Sequence, residues 1–585
     1  MSKQNKGKLG GLGRMMGYLG KHKVRLFFVI LFAIVSTIFT VLAPMVMGLI
    51  TTELFDGASS GAFDWQRIVT LLVVLAALYI VAQLFAYLQN VGMTHVSASV
   101  LRGLRDDIDQ KMHRLPLNYY DTKTNGEILS VITNDMDTVS NMISQSLAQM
   151  VSQVVTAVGI LIVMLSTNGW LTLIAVAMVP LSLLSALGVM KASTKHYGQQ
   201  QELIGEMNGC IEEIYNGNAV IKAFGREGQA KTTFDDINGR LQATAEKADT
   251  ESGLISPITS LVNNLGYVVS AVLGCFFVIG GGMTVGGVQA MLQYTKQFSQ
   301  PFTSIAGMAG SIGAASAAAT RIFELLDAPE QEADVAVSQP TTTAGGEVTF
   351  SHVKFGYDPT RPLMTDVSFT ARPSQKIAIV GPTGAGKTTL VNLLMRFYEI
   401  DGGHIYVDGV DTRQMTREDL RRHFSMVLQD TWLFEGTIGD NLAYGRENLT
   451  KEEVLAASKA ASADDFVRTL PDGYDFMLSH SGENVSQGER QLLTIARAMA
   501  CDPEIMILDE ATSNVDTYTE QRIQDAMAQL LRGRTSFVIA HRLSTIRDAD
   551  MILYMENGDI KEAGSHDELM AKHGKYEALY MSQFA

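Results

Sequence analysis

The chain has 585 residues, with 46 Lys plus Arg against 61 Asp plus Glu and a net charge of −15. At roughly 150 residues per domain, this length predicts several domains. The lack of a basic excess excludes a general nucleic-acid binder. Three scattered cysteines, Cys210, Cys275 and Cys501, exclude a disulfide framework or a cysteine metal site and fit a reducing cytosol.

The charge is unevenly placed. Residues 1–330 carry 22 basic and 23 acidic side chains, whereas residues 331–585 carry 24 and 38. The first part also holds long runs without any Asp, Glu, Lys or Arg, at 26–52, 68–101, 138–190, 252–295 and 297–320. A membrane-spanning helix needs about 20 mostly apolar residues. The run at 138–190 can hold two spans with a turn near Ser166–Gly169. The run from 252 holds one span and starts another, with turns at Gly280–Gly282 and Gly286-Gly287. Six spans are expected, near 24–48, 67–95, 141–165, 170–190, 255–280 and 287–315. Soluble core helices seldom run this long without a charged face.

Basic residues near the helix ends set the orientation. Seven of the first 25 residues are Lys or Arg, and the segment from 100 to 140 holds Arg102, Arg105, Lys111, Arg114 and Lys123. The N-terminus, the two long loops and the C-terminal part are therefore expected in the cytoplasm. The first apolar run is too long for a cleaved leader and is expected to act as its own insertion signal. Leu101, Leu104, Ile108 and Met112 recur at helical spacing, so the cytoplasmic segments should continue the spans as packed helices. The pattern breaks at 118–126 and at Asn216-Gly217-Asn218. Apart from Arg25 and Arg67 at the very ends of two spans, Lys296 is the one Lys, Arg, Asp or Glu inside an expected span. With Gln293 and Gln297 it forms a candidate lining of a substrate cavity, since intramembrane charge usually faces a cavity or a partner. A place near the interface, with the side chain snorkelling, is the alternative.

Residues 328–346 hold two Pro, three Thr and two adjacent Gly and are expected to be a linker between a transmembrane domain over 1–327 and a nucleotide-binding domain over 347–585. Beyond the linker, strand and helix patterns alternate, as in an α/β domain. Lys376–Val380 is an expected buried strand. It runs into Gly381, Pro382, Thr383, Gly384, Ala385, Gly386, Lys387 and Thr388, with a helix from Thr389. This is the phosphate-binding loop pattern in its strand–loop–helix setting. Backbone N–H groups and the helix N-terminus would face phosphate oxygens. Lys387 would reach the terminal phosphates, and the Thr388 hydroxyl would ligate Mg²⁺. A second apolar strand, Ile505–Leu508, ends in Asp509-Glu510. Asp509 is assigned to the Mg²⁺ shell, acting through water, and Glu510 to the general base that polarises the attacking water.

With these motifs in place, the sequence resembles the ATP-binding cassette (ABC) transporters over nearly its whole length. It resembles the exporter type, in which six spans precede one cassette. The resemblance implies a membrane helical bundle followed by an α/β P-loop ATPase, an ATP and Mg²⁺ requirement, and a dimer. Tyr357 matches the aromatic residue that stacks on adenine. Thr389 joins the nucleotide-binding set. Gln429 matches the glutamine that contacts Mg²⁺ and the water, and His541 the switch histidine at the γ-phosphate. With Glu510, these two make up the expected catalytic set. Asp516 closes the loop that crosses to the partner cassette, and Ser486, Gln487 and Gly488 would meet the partner's ATP.

The signature segment departs from the family's Leu-Ser-Gly-Gly-Gln, reading Val485-Ser486-Gln487-Gly488-Glu489. An added acid near a triphosphate should weaken closure unless it is turned away or paired. An intact catalytic set beside a variant signature is similar to one half of heterodimeric multidrug exporters, so a heterodimer is expected, with a homodimer as the alternative. The implied function is ATP-driven efflux of amphipathic molecules, lipids or peptides across a bacterial inner membrane. The breaks near 117–123 and 214–220 match the family's coupling helices. An importer of chelate-like solutes on the same frame and an ATP-gated regulator without transport are the competing functions.

Overall fold

The computed structural model describes residues 7–335, 345–358, 360–428, 431–446, 448–509, 516–540 and 543–584. Gln429, Glu510 and His541 lie outside the described residues. The chain divides into two compact units, one of residues 1–114 and 123–328 and one of 115–122 and 329–585.

In the first unit, six helical segments among the described residues are long and apolar enough to cross a membrane: Lys23–Ser60, Trp65–Arg114, Asn125–Thr167, Gly169–Asn216, Glu227–Ile279 and Val285–Leu326. The runs at 26–52, 68–101 and 297–320 each lie inside one of these, those at 138–190 and 252–295 are each shared between two, and several segments extend well beyond the runs. Leu101, Leu104 and Ile108 are buried, as their spacing requires. Local chemistry sets the turns. Asn168 caps the fourth segment, its side-chain oxygen accepting the N–H groups of Trp170 (3.0 Å) and Leu171 (3.2 Å). Thr284 caps the sixth by accepting the Gly287 N–H at 3.0 Å.

Gly286-Gly287 therefore lies inside the sixth helix and is not a turn. Its role is close approach: a Cβ on Gly286 would come within 1.6 Å of the Gly48 carbonyl oxygen. Small residues at such a crossing let two spanning helices pack backbone to backbone. The third span carries two π-helical turns, Val131–Asp135 and Met142–Leu147. Asp135, buried at the first of them, accepts a two-pronged contact from Arg321 Nε (2.8 Å) and Nη2 (2.5 Å). This ties the third segment to the sixth. The N-terminal helix Gly7–Gly20 buries Met15 and Leu19, and Arg14 pairs with Asp327 at 2.5 Å.

The second unit contains a six-stranded sheet in the order Asp559–Gly564, Met551–Glu556, Lys376–Val380, Thr535–Ile539, Ile505–Asp509, Phe424–Val427. Every neighbouring pair is parallel except the first, so both faces of the central strands are covered. That accounts for continuously apolar strands such as Ile377–Val380 and Ile505–Leu508, which are buried throughout. A four-stranded antiparallel sheet, Met364–Ala371, Val348–Phe355, Gly402–Val407 and Val410-Asp411, shares a core with it through Phe350, Val367, Leu390 and Phe537. A separate cluster built on Leu492, Ile495 and Ala496 of the helix Gln487–Cys501 packs against Leu508 and Val538.

Two further segments complete this unit. The short helix Leu117–Thr122 belongs to it although it lies between two spans in the chain, and the Tyr398 hydroxyl donates to the Asp121 carboxylate. Residues 329–335 are fastened by two buried arginines. Arg417 reaches Asp334 (2.5 Å), Glu399 (2.6 Å) and the Glu332 carbonyl (2.7 Å), and Arg396 pairs with Glu399 at 2.9 Å. Each guanidinium is thus matched by carboxylates, which its burial requires.

Candidate nucleotide-binding site

The strand Lys376–Val380 lies between Thr535–Ile539 and Met551–Glu556, and Ile539 sits level with both Ile379 and Asp509. Parallel strands in this order carry the Gly381 loop, Asp509 and the chain leading to residue 541 to one edge of the sheet. In open α/β folds, ligands bind outside that carboxyl edge.

The loop geometry explains its glycines. Gly381 has φ +152°, and a Cβ there would come within 2.2 Å of the Met555 carbonyl oxygen. Gly384 has φ +79° in open space, a conformation that other residues adopt only at a cost. Pro382, Thr383 and Gly384 are exposed, Ala385 is buried as the loop's anchor, and Gly386 leads into the helix Lys387–Leu394. Lys387 Nζ donates to the carbonyls of Gly381 (2.8 Å) and Pro382 (3.0 Å). Burial lowers the Lys387 pKa, and the Asp509 charge opposes that shift. The ammonium therefore stands over the loop, within the field of the carboxylate at the neighbouring strand end. The exposed Thr388 hydroxyl and the Asp509 carboxylate are oxygen donors, the set that Mg²⁺ prefers. The residues present fit a Mg²⁺–nucleotide.

Tyr357 is half exposed. Its ring stands near-perpendicular to those of Phe355 and Tyr398, with centroids 5.0 Å and 5.1 Å away, and its hydroxyl pairs with Thr389 Oγ1 at 3.0 Å. The half-exposed ring is thus tied by its hydroxyl to the loop helix, which suits it to stacking on a planar base. Thr389, an expected nucleotide contact, is buried and pairs with the tyrosine hydroxyl. Tyr398 was not singled out at all. Its one signal is the aromatic pair Phe397-Tyr398 shortly after the loop helix.

Ser486 and Gln487 are exposed at the start of the helix Gln487–Cys501, and Gly488 is buried in its first turn. Ser486 caps the helix, and the Ser486 N–H donates to the Glu489 carboxylate at 2.8 Å. The unusual acid is therefore paired within its own helix. Asp516 caps the helix Thr517–Leu531 by accepting the Thr519 N–H at 3.0 Å, and that hydrogen bond lowers its pKa.

In the membrane unit, Lys296 and Gln297 are exposed and Gln293 is partly so. Tyr294 and Phe298, on the other side of the same helix, are buried in the bundle.

Residues 26–302 match the family profile of the ABC transporter transmembrane region, and residues 364–513 match that of the ABC transporter cassette. A fatty acid ABC transporter ATP-binding/permease protein of Mycobacterium bovis is 45% identical over 513 residues, 88% of this chain and 81% of that protein. A probable multidrug resistance ABC transporter ATP-binding/permease protein of Bacillus subtilis, YheH, is 32% identical over 88% of this chain and 77% of its own length. Among solved structures, a bacterial Atm1-family ABC exporter with ATP bound superposes with a TM-score of 0.75 at 28% identity, covering 96% of this chain and 98% of that one.

Proposed function

Because the chain belongs to the ABC transporters, as an exporter-type half-transporter that spans the membrane several times, we propose that it drives amphipathic molecules out of the cytoplasm at the expense of ATP. The observation that carries this reading is the placement of the Gly381–Thr388 loop, Lys387 and Asp509 on one sheet edge, in a chain that also has six apolar segments of spanning length.

In this reading, Tyr357 stacks on the adenine while the loop N–H groups and Lys387 hold the phosphates. Thr388 and Asp509 hold Mg²⁺, which when bound supplies charge neutralisation at the terminal phosphates. Glu510, next in sequence to Asp509, takes the proton of the attacking water. Gln429 orients that water, and His541 donates to the γ-phosphate. The roles of these three rest on sequence position and motif.

One cassette per chain implies a dimer, in which Ser486, Gln487, Gly488 and Asp516 complete the partner's site. A heterodimer in a bacterial inner membrane is the finer proposal. Its ground is the signature departure, and the pairing of Glu489 with Ser486 weakens that ground, because the acid is already engaged. Closure of two cassettes is useful only if it biases a second equilibrium, between inward-facing and outward-facing states. Leu117–Thr122 and Asn218–Ala223 are proposed to pass that bias to the spans.

Fatty acids and drugs, named for the two relatives, are the candidate substrates. The test is ATPase activity and ATP-driven uptake by inside-out vesicles carrying the chain, beside Glu510→Gln. Uptake that the substitution abolishes supports export, whereas ATP-driven loss from the same vesicles supports import. Hydrolysis without flux of any amphiphile would leave only the regulator reading. Activity of the chain purified alone would establish a homodimer.

A further inference from the structure

We propose that Lys296 is the headgroup site of the transport path, and that it takes an amphipathic monocarboxylate: one long apolar chain bearing one carboxylate. The inference rests on the transporter reading above and adds the charge and shape of the cargo.

Depth is the first argument. The sixth span begins at the Thr284 cap, and Lys296 lies twelve residues further on. At about 1.5 Å per residue that is roughly 18 Å along the helix, beyond the midpoint of a hydrocarbon layer of about 30 Å. A lysine at this depth is too far from either surface to snorkel fully. Intramembrane charge so placed faces a cavity or a partner group rather than lipid.

Helix rotation is the second. Gln293, Lys296, Gln297 and Gln300 are spaced i, i+3, i+4, i+7 and share one face. The opposite face is fixed in the bundle by buried Met291, Tyr294 and Phe298, and the Tyr294 hydroxyl donates to the Val41 carbonyl at 2.5 Å. The polar stripe is thereby held outward from its own bundle, with Lys296, Gln297 and Gln300 exposed.

The sign of the charge then selects the cargo. None of the five charge-free runs contains Asp or Glu, and Lys296 makes no ion pair with any described residue. An anionic ligand would bring the countercharge that this chain's described residues do not supply there. A carboxylate can accept from the ammonium while the glutamine amides donate to its second oxygen, and the apolar runs receive the chain. A cationic amphiphile would meet an uncompensated like charge in a medium of low dielectric constant.

The experiment uses the full-length chain in the dimer it forms, in lipid nanodiscs, with direct binding of labelled oleate, oleyl alcohol and oleylamine. The wild type should prefer oleate to oleylamine. Lys296→Gln should weaken oleate by about tenfold, the size expected for losing one charge-assisted hydrogen bond, relative to oleyl alcohol measured on the same variant. Lys296→Arg should restore the oleate preference, and Lys296→Glu should reverse it toward oleylamine. An oleate-to-oleyl-alcohol ratio that is the same in wild type, Lys296→Gln and Lys296→Glu would overturn the proposal. Binding needs no ATP, so the two readings fail separately. Charge-dependent binding without ATP-driven flux in vesicles would sink the transporter reading alone. Flux of amphiphiles with binding indifferent to residue 296 would sink this inference alone.

Discussion

Ser486 and Glu489 cap one another: the Ser486 N–H donates to the Glu489 carboxylate at 2.8 Å, and the Ser486 hydroxyl accepts the Glu489 N–H at 3.3 Å. This reciprocal capping satisfies two donors at the start of the helix Gln487–Cys501. The acid that departs from the family pattern thus shapes the segment that must meet a partner's nucleotide. Glu489→Gln keeps an acceptor and should retain most of the ATPase activity. Glu489→Ala loses the cap, worth about 1 kcal/mol, and should lower both activity and melting temperature further. Steady-state ATPase and thermal unfolding of the two variants check this order. Greater activity in Glu489→Ala than in Glu489→Gln would contradict it.

The tethered, half-exposed ring of Tyr357 gives a second expectation. Tyr357→Phe removes only the bond to Thr389 and should change the KM for ATP by less than about threefold, the cost of one neutral hydrogen bond. Tyr357→Ala removes the stacking surface and should raise the KM by about tenfold. Equal KM values for the two variants would show that the ring does not stack. Nucleotide titration in the same detergent settles the comparison.

Gly384 stands at φ +79° with no atom close to its would-be Cβ. Gly384→Ala should therefore cost backbone strain alone, about 1 kcal/mol, and leave the protein folded. Gly381→Ala meets the Met555 carbonyl and should be far more damaging to nucleotide binding and to the cassette. Protein yield and ATP-analogue binding, measured side by side, distinguish strain from clash.

The two buried arginines that fasten residues 329–335 define another test. Arg417→Ala removes one of two arginine partners from both Asp334 and Glu399, a loss expected to cost about 1–3 kcal/mol. Asp334→Asn leaves Glu399 in place and should cost less. Thermal unfolding of the full chain is the readout, and a melting temperature unchanged in Arg417→Ala would show that the network contributes nothing.

Asp411 carries an acid-side signature. Burial alone would raise its pKa, but hydrogen bonds from Arg413 and His404 and the Arg413 charge outweigh burial and hold it at about 2. A carboxyl lowered from its ordinary value of 3.8 contributes stability that is fully present above that value. That contribution fades as the pH falls toward 2. Asp411→Asn should be less stable than wild type at pH 6, and the gap should narrow between pH 4 and 2. Melting curves across that range check it, and a gap independent of pH would refute it.

Much of this was legible in the sequence, for identifiable reasons. Spans announce themselves because charge is excluded from hydrocarbon, and the phosphate loop because few residue types fit its backbone. Gly286-Gly287 misled, since two glycines serve a turn and a helix crossing equally well, and only the position of Gly48 decides between them. The Ser486–Glu489 pair was present in the spacing, but a charge read against a distant phosphate hid its local use. The bond between Tyr398 and Asp121 joins residues far apart in sequence, and no local pattern encodes it.

The placement of Leu117–Thr122 has a mechanical corollary. The polypeptide passes between the two units three times, after Arg114, after Thr122 and after Ala328. The first two crossings bracket a segment that joins the cassette without a covalent link to residues 329–585, and the third is the one covalent link. A cut within 336–344 would part residues 345–585 from the rest of the backbone. The membrane fragment would still own the Asp121 that grips Tyr398, and the two pieces should stay together as a nicked but articulated whole.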